Sequence, residues 1–326
     1  MKKEHFINAL KCRNSPHEIP FWELEFHLWN QYSSKKFIIG SEFTRLSKKE
    51  KGKAISTNCE IMEEVIELLG FSALSVPGTY SELSQGVPAY FWLPDYYREQ
   101  QVKVLQRRLS KKTALVVHVG GIMSLPAPGE NDDFLIQMLK NPGQANMQAR
   151  LMLENAKVQI RTYRNMGIEL FLSSSDLAKK SVLHFPQEQF NRFILPYIDE
   201  WSAFIKAQGG YSILHTDGNI ESCIDQISLT SLDAIHAHNP TSGGDTVEIQ
   251  KRAAGKLCLC GIMDCHLVSS ESEDTIHTLA LELLEKHASI PGCSFGMSNV
   301  LGASISKAGF DAVVRTYREW TGSKKV

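Results

Sequence analysis

Short apolar runs alternate with amphipathic stretches along the whole chain. Most of the runs contain few polar interruptions, a pattern typical of strands buried on both faces of a parallel sheet. Predicted strands occupy residues 21–26, 71–76, 113–119, 168–172, 211–214, 232–237, 257–262 and 293–297. Helical periodicity predicts helices at residues 58–69, 96–109, 132–139, 145–166, 186–208 and 309–320.

The alternation of strands and helices predicts the fold. Eight strand–helix units in a chain of 326 residues match what a (β/α)8 barrel requires. The sequence shows no internal repeat and no linker rich in proline, glycine or serine. We therefore predict an α/β fold in which residues 1–326 form a single-domain (β/α)8 TIM barrel with an N-terminal helical extension.

Composition and charge indicate which kinds of binding partner the protein can have. The formal net charge of −1 argues against nucleic acid or an anionic membrane, which would need a concentrated basic field. No apolar run approaches the roughly 20 residues of a membrane-spanning helix, and the N-terminal residues lack the apolar core of a secretion signal. The seven cysteines include no Cys-x-x-Cys pair and fit reduced thiols better than disulfides. We expect a cytoplasmic protein.

The fifth predicted strand carries the most informative stretch, Tyr211-Ser-Ile-Leu-His-Thr-Asp-Gly-Asn219. Parallel α/β folds place their sites at the carboxyl ends of strands. His215 and Asp217 share a face because side chains alternate along a strand, and Gly218 permits a sharp turn after them. A histidine with a carboxylate suits a divalent ion such as Zn²⁺, or an aspartate-oriented histidine acting as acid or base.

Other strand ends supply further candidates. A third metal ligand must come from another strand, and Cys293 and Glu25 are the candidate donors. His236 and His238 share a face, which is compatible with metal ligation and equally with polar packing beneath a substrate. Asp176 follows three serines and is either a helix N-cap or a substrate contact. Hydrogen-bonded structural roles are expected for three other histidines: His27, His118 and His266.

Several segments resemble one known family. The stretch from His215 to Asn219 resembles the fifth-strand signature His-x-Cys-Gly-Asn of corrinoid methyltransferases in the uroporphyrinogen decarboxylase superfamily. Further segments resemble family motifs in the same order along the chain, at residues 20–27, 39–47, 174–178, 185–190, 195–198 and 259–264. The resemblance covers nearly the whole chain and implies a (β/α)8 barrel with its site at the carboxyl ends of the strands.

The superfamily holds two chemistries, and one motif separates them. Its decarboxylases bind an acidic tetrapyrrole with the arginine-rich motif Arg-Gln-Ala-Gly-Arg-Tyr. This chain has Phe21-Trp-Glu-Leu-Glu-Phe26 at that place, without an arginine. A substrate with several carboxylates needs cationic partners. The resemblance therefore disfavours decarboxylation of uroporphyrinogen.

The other chemistry is methyl transfer to or from a corrinoid carried by a partner protein. In such enzymes zinc is held by His-x-Cys and a distant cysteine, and it activates a thiol. Here Asp217 replaces the first cysteine, and Cys293 lies at roughly the right distance for the second. Counting back from the last helix instead places that cysteine near Ser298 and Asn299. A harder site of this kind suits the polarisation of an oxygen, as in demethylation of a methyl ether.

We therefore predict a methyltransferase dependent on cobalamin, with the corrinoid supplied by a partner protein and the methyl group by a small substrate such as a methoxylated compound. A decarboxylase of a small or tetrapyrrole-like carboxylate and a non-catalytic tetrapyrrole-binding barrel are the alternatives. A homodimer is compatible with this prediction. The predicted site has three sets of residues: catalytic His215, Asp217 and Asp176; substrate-binding Asn219, His236, His238, Glu25 and Asp264; and metal-binding His215, Asp217 and Cys293, with Zn²⁺ as the metal.

Overall fold

Seven parallel strands form the central sheet of the computed structural model, which describes residues 2–16, 18–76, 82–84, 87–88, 93–122, 138–179, 182–236, 244–302 and 305–323. The strands lie side by side in chain order, so each pairs with the next. They are β1 (Ala73–Val76), β2 (Ala114–His118), β3 (Leu170–Ser174), β4 (Tyr211–His215), β5 (Ala234–His236), β6 (Cys258–Cys260) and β7 (Cys293–Ser294). Two antiparallel hairpins, Glu82–Ser84 with Val87–Pro88 and Ala178–Lys179 with Val182–Leu183, lie outside this sheet.

Helices alternate with these strands. The longer ones are α1 (Lys2–Leu10), α2 (Lys48–Leu69), α3 (Asp95–Leu109), α4 (Pro142–Asn165), α5 (Leu195–Ala207), α6 (Thr246–Ala253), α7 (Glu273–His287) and α8 (Lys307–Ser323). Shorter helices are Trp29–Tyr32, Gly40–Arg45, Gln187–Gln189, Ile224–Ile227 and Leu267–Ser270, and a π-helix at Phe190–Ile194 leads into α5. An α/β fold of the TIM-barrel type, as predicted, follows from this order. The predicted helix at residues 132–139 lies mostly outside the described residues.

Alternation along the strands separates two layers of core. On β2, Ala114 and Val116 belong to an inner cluster, whereas Leu115 and Val117 pack in the larger cluster that also contains the helix residues. The inner cluster also holds Ile213 of β4 and residues of every other strand except β7. Side chains at alternate positions face the inside of such a sheet. On each strand, the residue two positions after an inward-facing residue therefore also faces the inside.

Helix α1 closes the amino-terminal side of this inner layer. Its Phe6 lies in the inner cluster, with its ring centroid 5.5 Å from that of Trp22. The backbone N–H of Lys3 donates to the carbonyl of Lys112, two residues before β2 begins. Apolar side chains thus fill the inside of the sheet at the amino-terminal ends of the strands. Polar side chains that react or bind are therefore expected at the carboxyl ends.

The predicted first strand pairs through single bridges and forms no ladder. Phe21 bridges Phe295 after β7, and the Phe21 carbonyl also accepts from the backbone N–H of Ser72 before β1. The segment therefore contacts both edges of the sheet. In a continued parallel ladder the N–H of Met297 would donate to a backbone carbonyl of this segment. Here it donates to the side-chain carboxyl group of Glu23, so the pairing is interrupted until Phe26, which bridges Leu301.

Helix α2 begins ten residues before the predicted start at residue 58. A capping box sets its true start, because the Ser47 hydroxyl accepts from the Glu50 N–H and the Glu50 carboxylate accepts from the Ser47 N–H. The lysine-rich first turns have no apolar periodicity, so the hydrophobic pattern alone missed them. Among the described residues, no helix combines the length and apolar character needed to span a membrane.

A buried histidine between α6 and α7 makes stability depend on pH. The His287 side chain lies beside the Thr246 hydroxyl (3.0 Å from Nε2) and the Gln250 carbonyl oxygen (2.5 Å from Nδ1). Burial lowers its pKa from 6.5 to about 4. The unfolded chain therefore takes up a proton first as the pH falls, so this contribution is complete above about pH 6.5 and is lost between pH 6.5 and 4.

Between pH 6.5 and 4, the free energy of unfolding should fall by roughly 3 kcal/mol less in His287→Gln than in the unaltered protein. The glutamine has no titrating ring, so the fold no longer has to exclude a proton there. Urea denaturation at a series of pH values measures the difference. Parallel stability-versus-pH curves for the two proteins would contradict it.

Candidate active site

Two histidines end neighbouring strands side by side on the inner face. His215 ends β4 two residues after Ile213, and His236 ends β5 two residues after Ala234. Both preceding residues lie in the inner cluster, so the imidazoles extend that inner row to its carboxyl end. The two histidines are also directly paired in the strand register. His236 is fully buried and His215 is 7% exposed.

The two imidazoles are in direct contact. Their Nδ1 atoms lie 3.0 Å apart, so one ring donates a hydrogen bond and the other accepts it. Trp22 meets the His236 ring edge-on with centroids 5.3 Å apart. Burial, and then the neighbouring His215, lower the pKa of His236 well below its ordinary value, while the Met297 carbonyl opposes that shift. His236 is thus a neutral imidazole at the floor of the site.

Two carboxylates lie above His215. The Nε2 atom of His215 is 3.9 Å from Oδ1 of Asp217, and the same oxygen accepts a hydrogen bond from Nδ2 of Asn299 at 2.9 Å. The backbone N–H of Asp217 donates to Oδ1 of Asp176 at 3.2 Å. Burial, and then the nearby Asp176 carboxylate, raise the pKa of Asp217, whereas His215 and Asn299 oppose the rise.

These three acceptors are arranged as a metal site would need them. One ligand atom each from Asp176, His215 and Asp217 lies within 4.8 Å of the others. His215 is buried, Asp217 half-buried and Asp176 exposed, so the group reaches from the inner row to the surface. An imidazole with two carboxylates is a donor set suited to Zn²⁺ and to harder divalent ions.

A second acidic group stands after β6. One ligand atom each from Asp264, Cys265 and His266 also lies within 4.8 Å of the others. Asp264 is 2% exposed; its Oδ1 accepts from the His266 N–H, and its Oδ2 has no hydrogen-bond partner among the described residues. Burial, then the carboxyl groups of Asp264, Glu23 and Asp217, raise the pKa of the Cys265 thiol to about 11. The carboxyl groups of both sets therefore lie near one another at this end of the sheet.

The turn after Asp217 depends on a glycine. Gly218 has a φ of +84°, and a Cβ at this position would overlap the carbonyl group of Ala178. We expect Gly218→Ala to lower the free energy of unfolding by about 2 kcal/mol or more, since strain and overlap add. Urea denaturation measures it. Gly255→Ala is the matched control, because Gly255 has a φ of +76° and no atom within 4 Å of its Cβ position. Equal losses in both variants would refute the overlap argument.

Residues beyond the predicted set also reach this region. His118 ends β2 in the same inner row, and its Nε2 lies 3.1 Å from the Ser174 hydroxyl. Burial, then Arg98 and His215, lower its pKa to about 4. Glu23 is 3% exposed, and burial raises its pKa well above the ordinary value. The alternation on β2 already indicated an inward His118, whereas nothing in the sequence indicated that Glu23 is more buried than Glu25.

The structure corrects Cys293 as a metal ligand. Cys293 pairs in register with Leu259, and both lie in the cluster that packs against the helices. The side chain therefore faces away from the inner row that holds His215. Asn299 takes the position next to Asp217 that the second prediction, counted from the last helix, gave to residues 298–299.

Four other predicted residues are placed elsewhere or not described. Glu25 lies beside His27, with 3.1 Å between Oε2 and Nε2, and is not in the group around His215. The Asn219 side chain accepts from the Glu221 N–H at 2.8 Å and so stabilises its own turn. His236 has no exposed surface with which to contact a substrate. His238 lies outside the described residues.

Comparisons with known proteins give a family and a fold. The family model described as Uroporphyrinogen decarboxylase (URO-D) matches residues 97–319. A search of the curated proteins found no significant match. Among solved structures, a methyltransferase from Methanosarcina mazei is 13% identical, with 98% of each chain covered and a TM-score of 0.69. An alpha-amylase from Geobacillus thermoleovorans is 9% identical, with 95% of this chain and 80% of that chain covered and a TM-score of 0.50. At these sequence identities, both comparisons show a similarity of fold alone.

Proposed function

The chain belongs to the uroporphyrinogen decarboxylase family, as its motifs predict, and on that premise we propose that it is a methyltransferase. The proposed reaction moves a methyl group from the oxygen of a small methoxylated compound to the corrinoid of a partner protein. One observation carries the proposal: acceptor atoms of Asp176, His215 and Asp217 meet at the carboxyl end of the sheet. The fold likeness to a methyltransferase that spans 98% of both chains supports it. We propose further that residues 1–326 form one closed (β/α)8 domain.

The donor atoms favour an oxygen-bound methyl group over a thiol. The resembling methyltransferases hold zinc with two cysteines, and thiolates select soft partners. Here an aspartate and an asparagine occupy those places, joined by the 2.9 Å hydrogen bond from Asn299 to Asp217. With no thiolate at this position, the group is hard in character. Such a group polarises an oxygen better than it activates a sulfur.

The residues present fit a divalent cation such as Zn²⁺. His215, Asp217 and Asp176 are the residues that would hold it, and Asp176 replaces Cys293 as the third ligand. Three acceptors converge there, and among the described residues the hydrogen-bond donors they meet are Asn299 and a backbone N–H. When bound, a cation of this kind supplies Lewis-acid stabilisation of negative charge on oxygen.

The reaction requires help at the leaving oxygen. When the methyl–oxygen bond breaks, the electron pair stays on oxygen, and an alkoxide or phenolate is a poor leaving group unless its charge is neutralised. The corrinoid on the partner protein is the methyl acceptor. A cation held by these residues would neutralise that charge. Without a cation, Asp217 is the group best placed to hold a proton for that oxygen, because it lies beside Nε2 of His215 and burial raises its pKa. The leaving group then departs as a neutral alcohol or phenol.

The carboxyl groups near the site restrict the substrate. Those of Asp176, Asp217, Asp264 and Glu23 lie near one another, and even where burial raises their pKa they offer an anion no positive charge. Like charges repel in a site of low dielectric constant. We therefore propose a neutral methyl ether as substrate and exclude polyanionic tetrapyrroles from the proposal, in agreement with the missing arginine motif.

The purified protein tests the proposal directly. It is incubated with cob(I)alamin and, separately, with methoxylated aromatics, methanol and a methyl thioether, while corrinoid methylation is followed by absorbance and bound metal by elemental analysis. Methylation from a methoxylated compound is the expected result. Methylation from the thioether alone would overturn the oxygen assignment. Release of CO₂ from a small carboxylate without corrinoid would identify a decarboxylase, and ligand binding without any turnover a non-catalytic barrel.

A further inference from the structure

One hydrogen atom lies between the facing Nδ1 atoms of His215 and His236, so one ring donates and the other accepts. Their Nδ1 atoms are 3.0 Å apart, and two neutral imidazoles at that distance need one N–H and one lone pair. We propose that His236 is a positioning residue that fixes the tautomer of His215. In this tautomer His215 donates from Nδ1 to His236 and presents the lone pair of Nε2 to Asp217 and Asp176.

The far side of the His236 ring sets the direction of the hydrogen bond. Its Nε2 is buried and has no well-formed hydrogen bond among the described residues. Nε2 and the backbone carbonyl of Met297 face the same point beside Gly261, since a Cβ on Gly261 would lie 2.5 Å from Nε2 and 2.6 Å from that carbonyl oxygen. A carbonyl oxygen only accepts, so it favours the proton on Nε2 of His236. The Nδ1 atom of His236 is then the acceptor for His215.

The consequence appears at the other nitrogen of His215. With its proton on Nδ1, His215 points a lone pair from Nε2 toward Oδ1 of Asp217, 3.9 Å away. Two acceptors at this separation attract a cation between them. Histidines that bind metals commonly donate their second ring N–H to a fixed acceptor, which holds the tautomer and the ring orientation. In this chain the acceptor is another imidazole, held edge-on by Trp22.

This assignment replaces the sequence prediction that His236 contacts substrate. The ring is fully buried below His215, so it acts on the reaction only through His215. Its link to methyl transfer rests on the proposed function. The tautomer and the cation affinity do not, and both are measurable without a substrate.

Nitrogen-15 NMR of the protein labelled at histidine reads the tautomer. The spectrum is recorded without metal at mildly alkaline pH, and the two histidines are assigned by the loss of signals in His215→Asn and His236→Asn. We expect a pyrrole-like Nδ1 and a pyridine-like Nε2 for His215, and the opposite pattern for His236. A pyridine-like Nδ1 on His215 would overturn the proposal, whatever the activity.

Zinc titration calorimetry provides the second test. We expect His236→Leu to weaken zinc binding about 10- to 100-fold, as loss of such a supporting partner does. His236→Asn keeps an acceptor oxygen near the position of Nδ1 and restores most of the affinity. His287→Leu is the matched control, since it removes a buried, hydrogen-bonded imidazole between α6 and α7 that is not in the group around His215, and it should leave zinc binding unchanged.

The outcomes separate this proposal from the methyl transfer. Equal loss of zinc binding in His236→Leu and His236→Asn, or no loss in either, would show that His236 does not position His215. If the tautomer and the order of the zinc affinities are as expected but no substrate methylates cob(I)alamin, the proposed function fails and the positioning role stands. Circular dichroism and thermal unfolding of each variant confirm that the compared proteins are folded.

Discussion

Replacement of His215 by alanine is expected to lower the rate of corrinoid methylation by about 10²- to 10⁴-fold, the range that an acid–base or electrophilic group contributes. His215 is buried at the floor of the site, and its Nε2 faces Asp217. Among the described residues, His215 is the histidine with a ring nitrogen within 4.0 Å of an Asp217 carboxylate oxygen. The loss should therefore fall on kcat, because the interaction serves the breaking bond more than the bound substrate.

Initial rates with cob(I)alamin and the best methoxylated substrate measure this effect, together with the metal content of each variant. Asp217→Asn should show a loss of similar size, because it removes the carboxylate and keeps the side-chain volume. Asp225→Asn is the matched control: Asp225 is an exposed partner of Arg252 and lies outside the site. A His215→Ala variant with an unchanged rate and unchanged metal content would refute the site assignment.

The second large effect is expected from restoring the thiolates that this chain lacks. Asn299 donates to Asp217 at 2.9 Å, so cysteines at both positions would place two sulfurs beside His215. We expect Asp217→Cys combined with Asn299→Cys to bind Cd²⁺ at least about 100-fold more tightly than the unaltered protein, a difference of about 2.7 kcal/mol. The double variant should also lose methyl transfer from ethers.

Absorption by cadmium–thiolate bonds in the near ultraviolet reports this change directly, and competition with a chelator gives the affinity. The single variants Asp217→Cys and Asn299→Cys should each gain less than half of this Cd²⁺ binding free energy, because each keeps an oxygen ligand at the other position. The Cys265 thiol provides the baseline, since it is present in all four proteins. If the double variant shows no thiolate absorption, the two side chains do not share a ligand position.

The proximity of several candidate-site residues was predictable because their signal is local. The pair His215 and Asp217 follows a buried strand and shares a face through simple alternation, and the structure places Nε2 and Oδ1 of the two residues 3.9 Å apart. Asp176 follows the neighbouring strand, and parallel strands bring their carboxyl ends to one edge. The Asp176 contact with the backbone of Asp217 is the result of that general rule.

Other residues were not predictable because the segments around them are irregular. The predicted strand at residues 293–297 is short, so the sequence does not determine which of its side chains face inward. A shift of one residue turns a side chain to the opposite face of the sheet. Cys293 therefore faces the helices, although its position in the sequence suited a metal ligand. Asn299 reaches Asp217 across 82 residues of chain, a distance over which no periodicity indicates a contact.

The sequence by itself determined the parallel α/β architecture, the family and the inward direction of His215, because each depends on patterns repeated within a few residues. Tertiary structure alone decided which polar groups meet. It set His236 beneath His215, buried Glu23 where it interrupts the strand pairing, and placed Asn299 instead of Cys293 beside Asp217. The physical reason is that hydrophobic periodicity records which face of a strand is buried. The partner of a polar side chain depends instead on the packing of segments far apart in the chain.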